Sequence, residues 1–375
     1  MVRNTTAQST NWSEALGGIE YAIEQAMVEG QIPSMTLALV VGEEVVWSKG
    51  YGYANIWART PAVPSTVYLI GSTFKAMSTV ALLQHMEDGK FGLDDPVNGY
   101  LEGIRIKNED ADAPVTFRHL LTHTSGLPGD FGPFPVWGDD RPPSLEQYLA
   151  TSLRAESSPM AGVVYSNMAY SLVGYLSGQF AGVPFRNYVQ QTIFSPLEMN
   201  STAFQPTPVM TERLAVPYVV DRASKRLVPT EQLKASVWPA GIVYGTVLDQ
   251  ANWLIANLNG GTFKGRHLLA EELMDQMHSL QYEAFKGTIS GLWGGEEAGY
   301  GLTWWTDIRK GERFFAHSGS VPGYTAFLQG NKDKKIGIAI LSNGNRAHRH
   351  LIGLADRIMA LAGEVEEMAP AAAGN

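Results

Sequence analysis

Apolar residues recur along this chain with two different periods, and the two periods occupy different regions. Near the start, Leu16, Ile19, Ile23 and Met27 return every three or four residues, the spacing that puts side chains on one helix face. Ser13 stands where a cap would sit and Gly30 where the helix would stop, so the pattern predicts a helix over Ser13 to Glu29. Thr36 to Val41 and Val45 to Lys49 are β-branched runs joined by Gly42-Glu43-Glu44, which predicts a hairpin. Further strands are expected at Phe314 to His317, Tyr324 to Gly330 and Ile336 to Leu341, with a helix from about Ala347 to Leu361 after them. The long stretch between these outer pieces has helical periodicity, including Thr73 to Asp88 and Ala169 to Phe180.

Strands at both ends around a helical middle predict an α+β fold. The two strand groups should join in one antiparallel sheet, because an isolated hairpin is only marginally stable. The expected organisation is a discontinuous sheet domain, 1–75 with 235–362, flanked by helices and carrying a mainly helical inserted domain, 76–234. The acidic, then Ala- and Pro-rich, tail 363–375 reads as disordered. A Pro/Gly/aromatic loop, Leu127 to Pro143, interrupts the helical part and carries Phe131, Phe134 and Trp137.

Composition narrows the function. The chain has 375 residues, 45% hydrophobic, enough for one large or two moderate cores. A net charge of −9 with no basic run argues against a nucleic-acid partner. There is no cysteine, so disulfides, thiolate metal sites and a thiol nucleophile are all excluded. No apolar run is long enough to span a bilayer and the start lacks the core of a signal peptide. The expectation is a soluble protein, either cytoplasmic or exported without its leader; oligomeric state is not encoded in any visible pattern.

Candidate chemistry begins at Ser72-Thr73-Phe74-Lys75, where an amphipathic helix is about to start. A serine hydroxyl needs a nearby base to become nucleophilic, and a helical i, i+3 spacing lets Lys75 reach Ser72. The same four residues would also suit a capping serine with a solvated lysine. Tyr165-Ser166-Asn167 can present a phenol and an amide to one cleft, and a lysine ammonium beside the phenol would lower its pKa and make it a proton shuttle. A core tyrosine beside a turn asparagine is the plainer alternative. His317-Ser318-Gly319-Ser320 ends a predicted strand. Gly319 would let a substrate lie along the backbone, and an N–H just past it could pair with that of Ser72 to hold an oxyanion, unless the strand simply ends in a turn.

These three elements, in this order, resemble the serine β-lactamase and penicillin-binding protein family, and most closely its branch of class C β-lactamases, D-stereospecific peptidases and family VIII carboxylesterases. Framework segments extend the likeness over most of the chain: Gly50-Tyr51-Gly52-Tyr53-Ala54, Leu93-Asp94-Asp95-Pro96-Val97, Leu120 to Pro128, and Gly299-Tyr300-Gly301-Leu302. The resemblance implies a β-lactamase/transpeptidase-like fold and an acyl-enzyme formed at Ser72. It implies that Lys75 and Tyr165 together serve as base and proton donor, and that Asn167 binds substrate and helps hold Lys75. Ser72 and Ser320 would supply the oxyanion N–H groups, and neither cofactor nor metal is implied.

His317 stands where many relatives have a lysine. A histidine near half-protonation anchors a carboxylate less reliably than a fixed cation, which lowers the expectation of efficient β-lactam turnover. Phe131, Phe134 and Trp137, with Trp304 and Trp305, point toward an apolar acyl or aryl pocket, although core packing would account for them equally. The expected function is therefore a serine hydrolase, first a carboxylesterase acting on small esters, then a D-amino-acid peptidase or amidase, then a β-lactamase. A non-catalytic binding protein of the same fold is the alternative from another class. Other features are set aside. His119 and His123 have i, i+4 ligand spacing without the intervening glutamate of zinc proteases, His348 and His350 read as a surface cluster, and Trp293-Gly294-Gly295 reads as a loop. No serine has glycine two residues away on both sides, so the α/β-hydrolase nucleophile elbow is absent.

Overall fold

A computed structural model of the chain describes residues 12–129, 141–283, 293–295 and 298–368. Its centre is an eight-stranded antiparallel sheet: β1 (Ser34–Val41), β2 (Glu44–Asn55), β3 (Thr60–Pro61), β4 (Gly299–Tyr300), β5 (Trp305–Arg309), β6 (Glu312–Val321), β7 (Tyr324–Asn331) and β8 (Ile336–Ser342). The spatial order is β4-β5-β6-β7-β8-β1-β2-β3. The two ends of the chain meet where β1 pairs with β8, from Met35 opposite Ser342 to Val41 opposite Ile336. The hairpin expected at residues 42–44 forms with Gly42 at φ 61°, the left-handed geometry a tight connection needs.

Alternation along each strand sends side chains to two cores. Leu37, Leu39, Phe327, Ile338 and Ile340 meet α1 (Ile19–Glu29) and the C-terminal helix, whereas Ala38, Val40, Leu328, Ala339 and Leu341 face the helical part. Both faces are thus covered, which is why these strands read as nearly unbroken apolar runs. Within the helical part, α2 (Phe74–Glu87) is buried on almost every side against α3 (Asn167–Ala181), and α4 (Val247–Leu258) closes the same face of the sheet. No helix among the described residues is long and apolar enough to cross a membrane.

Several local expectations are corrected. The first predicted helix is broken: Trp12–Ala15 is one short helix and α1 begins at Ile19, because Gly17-Gly18 interrupts it. The strand expected to end at His317 runs on to Val321, since β7 continues to pair with it until Gly323 turns the chain at φ 82°. The last helix, α5 (His348–Met368), passes the point where a disordered tail was expected to begin. Val365 packs on the core and Glu367 accepts a 2.8 Å bond from Lys334, which holds 363–368 in the helix; 369–375 lie outside the described residues.

One polar side chain ties the sheet to the rest. Asn343, wholly buried just past β8, donates to the carbonyls of Tyr53, Ala54 and Val216 at 3.3, 3.1 and 3.0 Å and accepts from the Ser34 hydroxyl at 2.7 Å. Asn343→Ala should therefore destabilise the protein by roughly 2–4 kcal/mol, the cost of leaving several buried groups unpaired. Denaturant unfolding would check this, and a loss below about 0.5 kcal/mol would remove Asn343 from this role.

Candidate active site

Ser72 lies in a single 3-10 turn, Gly71–Thr73, that leads directly into α2. Gly71 takes φ 60°, and a Cβ there would stand 2.7 Å from the Ser320 nitrogen. Gly319 is as tightly placed: a Cβ would meet the Ile70 carbonyl oxygen at 2.0 Å and the Ser72 nitrogen at 3.0 Å. The turn carrying Ser72 therefore rests directly on the backbone of β6. On its other edge, β6 pairs with β5 only as far as Ala316 opposite Trp305, so among the described residues His317 to Val321 have no strand partner on the side away from β7.

Lys75 is fully buried one helical turn from Ser72. Its Nζ lies 3.0 Å from Ser72 Oγ, 2.8 Å from Asn167 Oδ1 and 2.7 Å from the Ala240 carbonyl oxygen. A neutral amine can donate to the last two and keep its lone pair for the serine proton, whereas an ammonium donates to all three. Burial holds Lys75 well below the ordinary lysine range, which favours the neutral form. Lys75 is not solvated, so the capping alternative for Ser72-Thr73-Phe74-Lys75 falls away.

Tyr165 hydrogen-bonds Ser72, and its ring centre lies 4.8 Å from the Lys75 amine. Its phenol is raised above the ordinary tyrosine value by burial, which outweighs the bond to Ser72. The pKa therefore moves in the direction opposite to the sequence expectation. The cation that was to stabilise a phenolate is a lysine whose own charge burial disfavours. The loop is held by Ser166, which caps α3 by accepting from Ala169 N at 2.9 Å and donates to the Pro128 carbonyl at 2.6 Å. The backbone N–H of Ser166 donates to His123 Nδ1 at 3.0 Å, which fixes the neutral ring with its proton on Nε2. His123 is thus a positioning residue for the tyrosine loop, a role its sequence spacing with His119 gave no hint of; His119 itself completes a capping box with Thr116.

His317 is buried in the middle of β6, with Nδ1 2.6 Å from the Ser318 carbonyl oxygen and its ring stacked on Trp305 at 5.5 Å. Burial first, then Lys75, pushes its pKa down to about 3, so the half-charged histidine expected from sequence is a neutral one. Trp304 and Trp305 back this ring from within the core and are not among the residues lining the cavity beside Ser72. Trp293 is likewise packed away, its indole donating to Gln329 at 2.8 Å. Phe131, Phe134 and Trp137 lie outside the described residues.

Sequence reading missed the support beneath Lys75. Tyr170, whose ring centre is 5.5 Å from the amine, bonds Thr303 Oγ1 at 2.6 Å and the Leu121 carbonyl at 3.1 Å, and Thr79 also hydrogen-bonds Thr303. Thr303 holds φ 78°, an uncommon backbone for a β-branched residue. Helical spacing was the available signal: Thr79 is four residues beyond Lys75, and Tyr170 three beyond Asn167. The Ala240 carbonyl had none.

A family model described as Beta-lactamase matches residues 19–362. Protein flp of Staphylococcus aureus is 25% identical over 333 residues, which cover 87% of this chain and 63% of that protein, so the chain spans less than two thirds of its relative. The octameric penicillin-binding protein homologue from Pyrococcus abyssi superimposes with a TM-score of 0.78 at 29% identity, over 94% of this chain and 77% of that one. The D-amino acid amidase of Ochrobactrum anthropi SV3 gives 0.77 at 21% identity, over 95% of this chain and all (100%) of its own. EstCE1, a hydrolase with promiscuous acyltransferase activity, gives 0.76 at 20% identity, over 93% of this chain and 100% of that one.

Buried and half-buried histidines generate a pH prediction, among them His348, which was expected in a surface cluster and is instead half-buried. His85, His278, His317 and His348 are each lowered from 6.5, chiefly by burial, to about 4, 3, 3 and 4. Below pH 6.5 the unfolded chain takes up protons that the folded protein refuses, so stability falls as pH drops from there toward the folded values. Urea midpoints at pH ~7.5 and ~5 should differ, the lower pH being less stable. Coincident midpoints would mean that these rings charge in place.

Proposed function

Because the chain belongs to the beta-lactamase family, we propose that it is a serine hydrolase working through an acyl-enzyme at Ser72, with small carboxylic esters as its foremost substrates. The observation that carries this reading is a fully buried amine 3.0 Å from the serine oxygen, its pKa lowered by that burial. Lys75 takes the Ser72 proton as Oγ attacks the ester carbonyl carbon. The resulting oxyanion sits between the N–H groups of Ser72 and Ser320, which the packing of Gly71 and Gly319 brings side by side. Tyr165, a protonated phenol bonded to Ser72, gives its proton to the departing alkoxide and is resupplied by the Lys75 ammonium. Asn167 holds the amine in line throughout. Water then repeats the sequence in reverse, leaving acid and free serine.

Esters are placed ahead of β-lactams because His317 is neutral and buried, so the third motif offers no cation to a substrate carboxylate. A second reading, D-amino-acid amidase or peptidase, draws support from the open edge of β6 at His317 to Val321, which an extended peptide backbone could join. β-Lactam hydrolysis is third, and a binding protein without turnover last.

Ser72→Ala should abolish turnover and fluorophosphonate labelling while the protein stays folded; residual labelling would place the nucleophile elsewhere. Tyr165→Phe should cost about two to four orders of magnitude in kcat. A wild-type rate would leave Lys75 as the sole proton carrier. Rates on p-nitrophenyl butyrate, a D-alanyl p-nitroanilide and nitrocefin rank the three substrate classes, with the butyrate expected fastest; faster nitrocefin turnover would refute the ester assignment.

A further inference from the structure

Beside Ser72 is a cavity of only about 10 Å³, walled by Asn167, Val237, Gly241 and Ile242. Ile242 also borders a far larger cleft of about 1170 Å³ between α3, the short helix Phe185–Val189 and the segments around 205 and 234. The same helix measures the gap between them. Asn167 touches the small cavity and Gly174 the cleft, about 10 Å apart at the helical rise. Ile242 borders both, so a substituent running from the serine into this space would have to pass it.

Its lining is apolar at the floor and cationic at the wall. Phe185, Phe204, Trp238 and Leu233 supply the floor, and Arg141, Arg186 and Lys234 share the lining with Glu146, the one carboxylate among the described residues that line it. Arg186 lies with its guanidinium carbon 4.4 Å from the Trp238 ring centre and 5.8 Å from that of Phe204. Among the described residues no carboxylate reaches ion-pair distance of it; Glu146 acts only through space. A guanidinium stacked by its face keeps the N–H groups of its edge for a planar, bidentate acceptor. Tyr165, the proton donor to the departing group in the proposed reaction, lines neither of these two cavities, and the acyl half of the substrate is accordingly the half assigned to the cleft.

We propose that this cleft is a distal acyl subsite and that it takes a long apolar acyl chain ending in a carboxylate, with Arg186 on its Trp238 platform receiving the charge. The inference rests on Ser72 being acylated, and it names which acyl groups are favoured. It also supplies the anion recognition that His317 cannot, at the far end of the substrate instead of beside the reacting carbonyl.

The test compares p-nitrophenyl esters of octanedioic acid with the far carboxylate free or methyl-capped, using p-nitrophenyl butyrate as the short reference. Wild-type protein should prefer the free carboxylate by about tenfold in kcat/KM, the worth of one charge-assisted hydrogen bond at a partly solvated site. Arg186→Met should bring the two long esters level, and Arg186→Lys should restore part of the preference. Equal rates in the wild type, or a preference that survives Arg186→Met, would overturn the subsite. A separate readout covers failure of turnover itself. Monomethyl octanedioate titrated calorimetrically into Ser72→Ala protein should bind, and should cease to bind in Ser72→Ala/Arg186→Met. Binding without any esterase activity would keep the subsite and reject the ester reading; no binding to either protein would reject the subsite.

Discussion

A lysine with no exposed surface is the constraint on which this site depends. Moving an amine out of water is costly in its charged form, so burial selects the neutral form and, with it, a base. The position then has to be defended from several directions. α2 sets the amine one turn from Ser72, α3 supplies Asn167, and the segment before α4 contributes the Ala240 carbonyl. The hydroxyls of Thr79, Tyr170 and Thr303 pair with one another directly beneath.

How much of this was legible follows from how local each feature is. Ser72 and Lys75 are one helical turn apart, so their meeting is a property of the helix and could be read from four letters. The union of the two chain ends in one sheet was readable as well, because β-branched runs on both sides needed partners and only a shared sheet provides them. The state of His317 was not. Its neighbours are Trp305 on the adjoining strand and Lys75 from a distant part of the sequence, and only the fold brings the second beside it. The direction of the Tyr165 shift failed for the same reason: charge depends on burial, and burial on the whole fold. The glycine pair at 17–18 was in plain view, yet the continuing apolar period concealed the break it makes.

His317 and Arg186 together suggest a division of labour between near and far parts of the cleft. Around the reacting carbonyl every titratable side chain named here is driven toward its neutral form: Lys75, Tyr165, His123 and His317. In the proposed reaction such a site would leave the charge that develops on the substrate to backbone N–H groups, which carry no counter-ion and need no reorganisation. Permanent charge is kept at a distance, on the wall of the larger cleft.

The bare backbone contact between Gly71, Gly241 and Gly319 has a consequence for how this protein can change over generations. A Cβ at Gly241 would come within 2.4 Å of the Gly71 carbonyl group, as one at Gly319 would reach Ile70. The nucleophile is thus positioned by main chain touching main chain, with no rotamer in between. Residues lining the clefts can be exchanged without shifting the serine, so new substrate preferences are open to gradual change while the reacting atom stays in register. The three glycines themselves have almost no neutral alternatives, and drift in this lineage should pass around them.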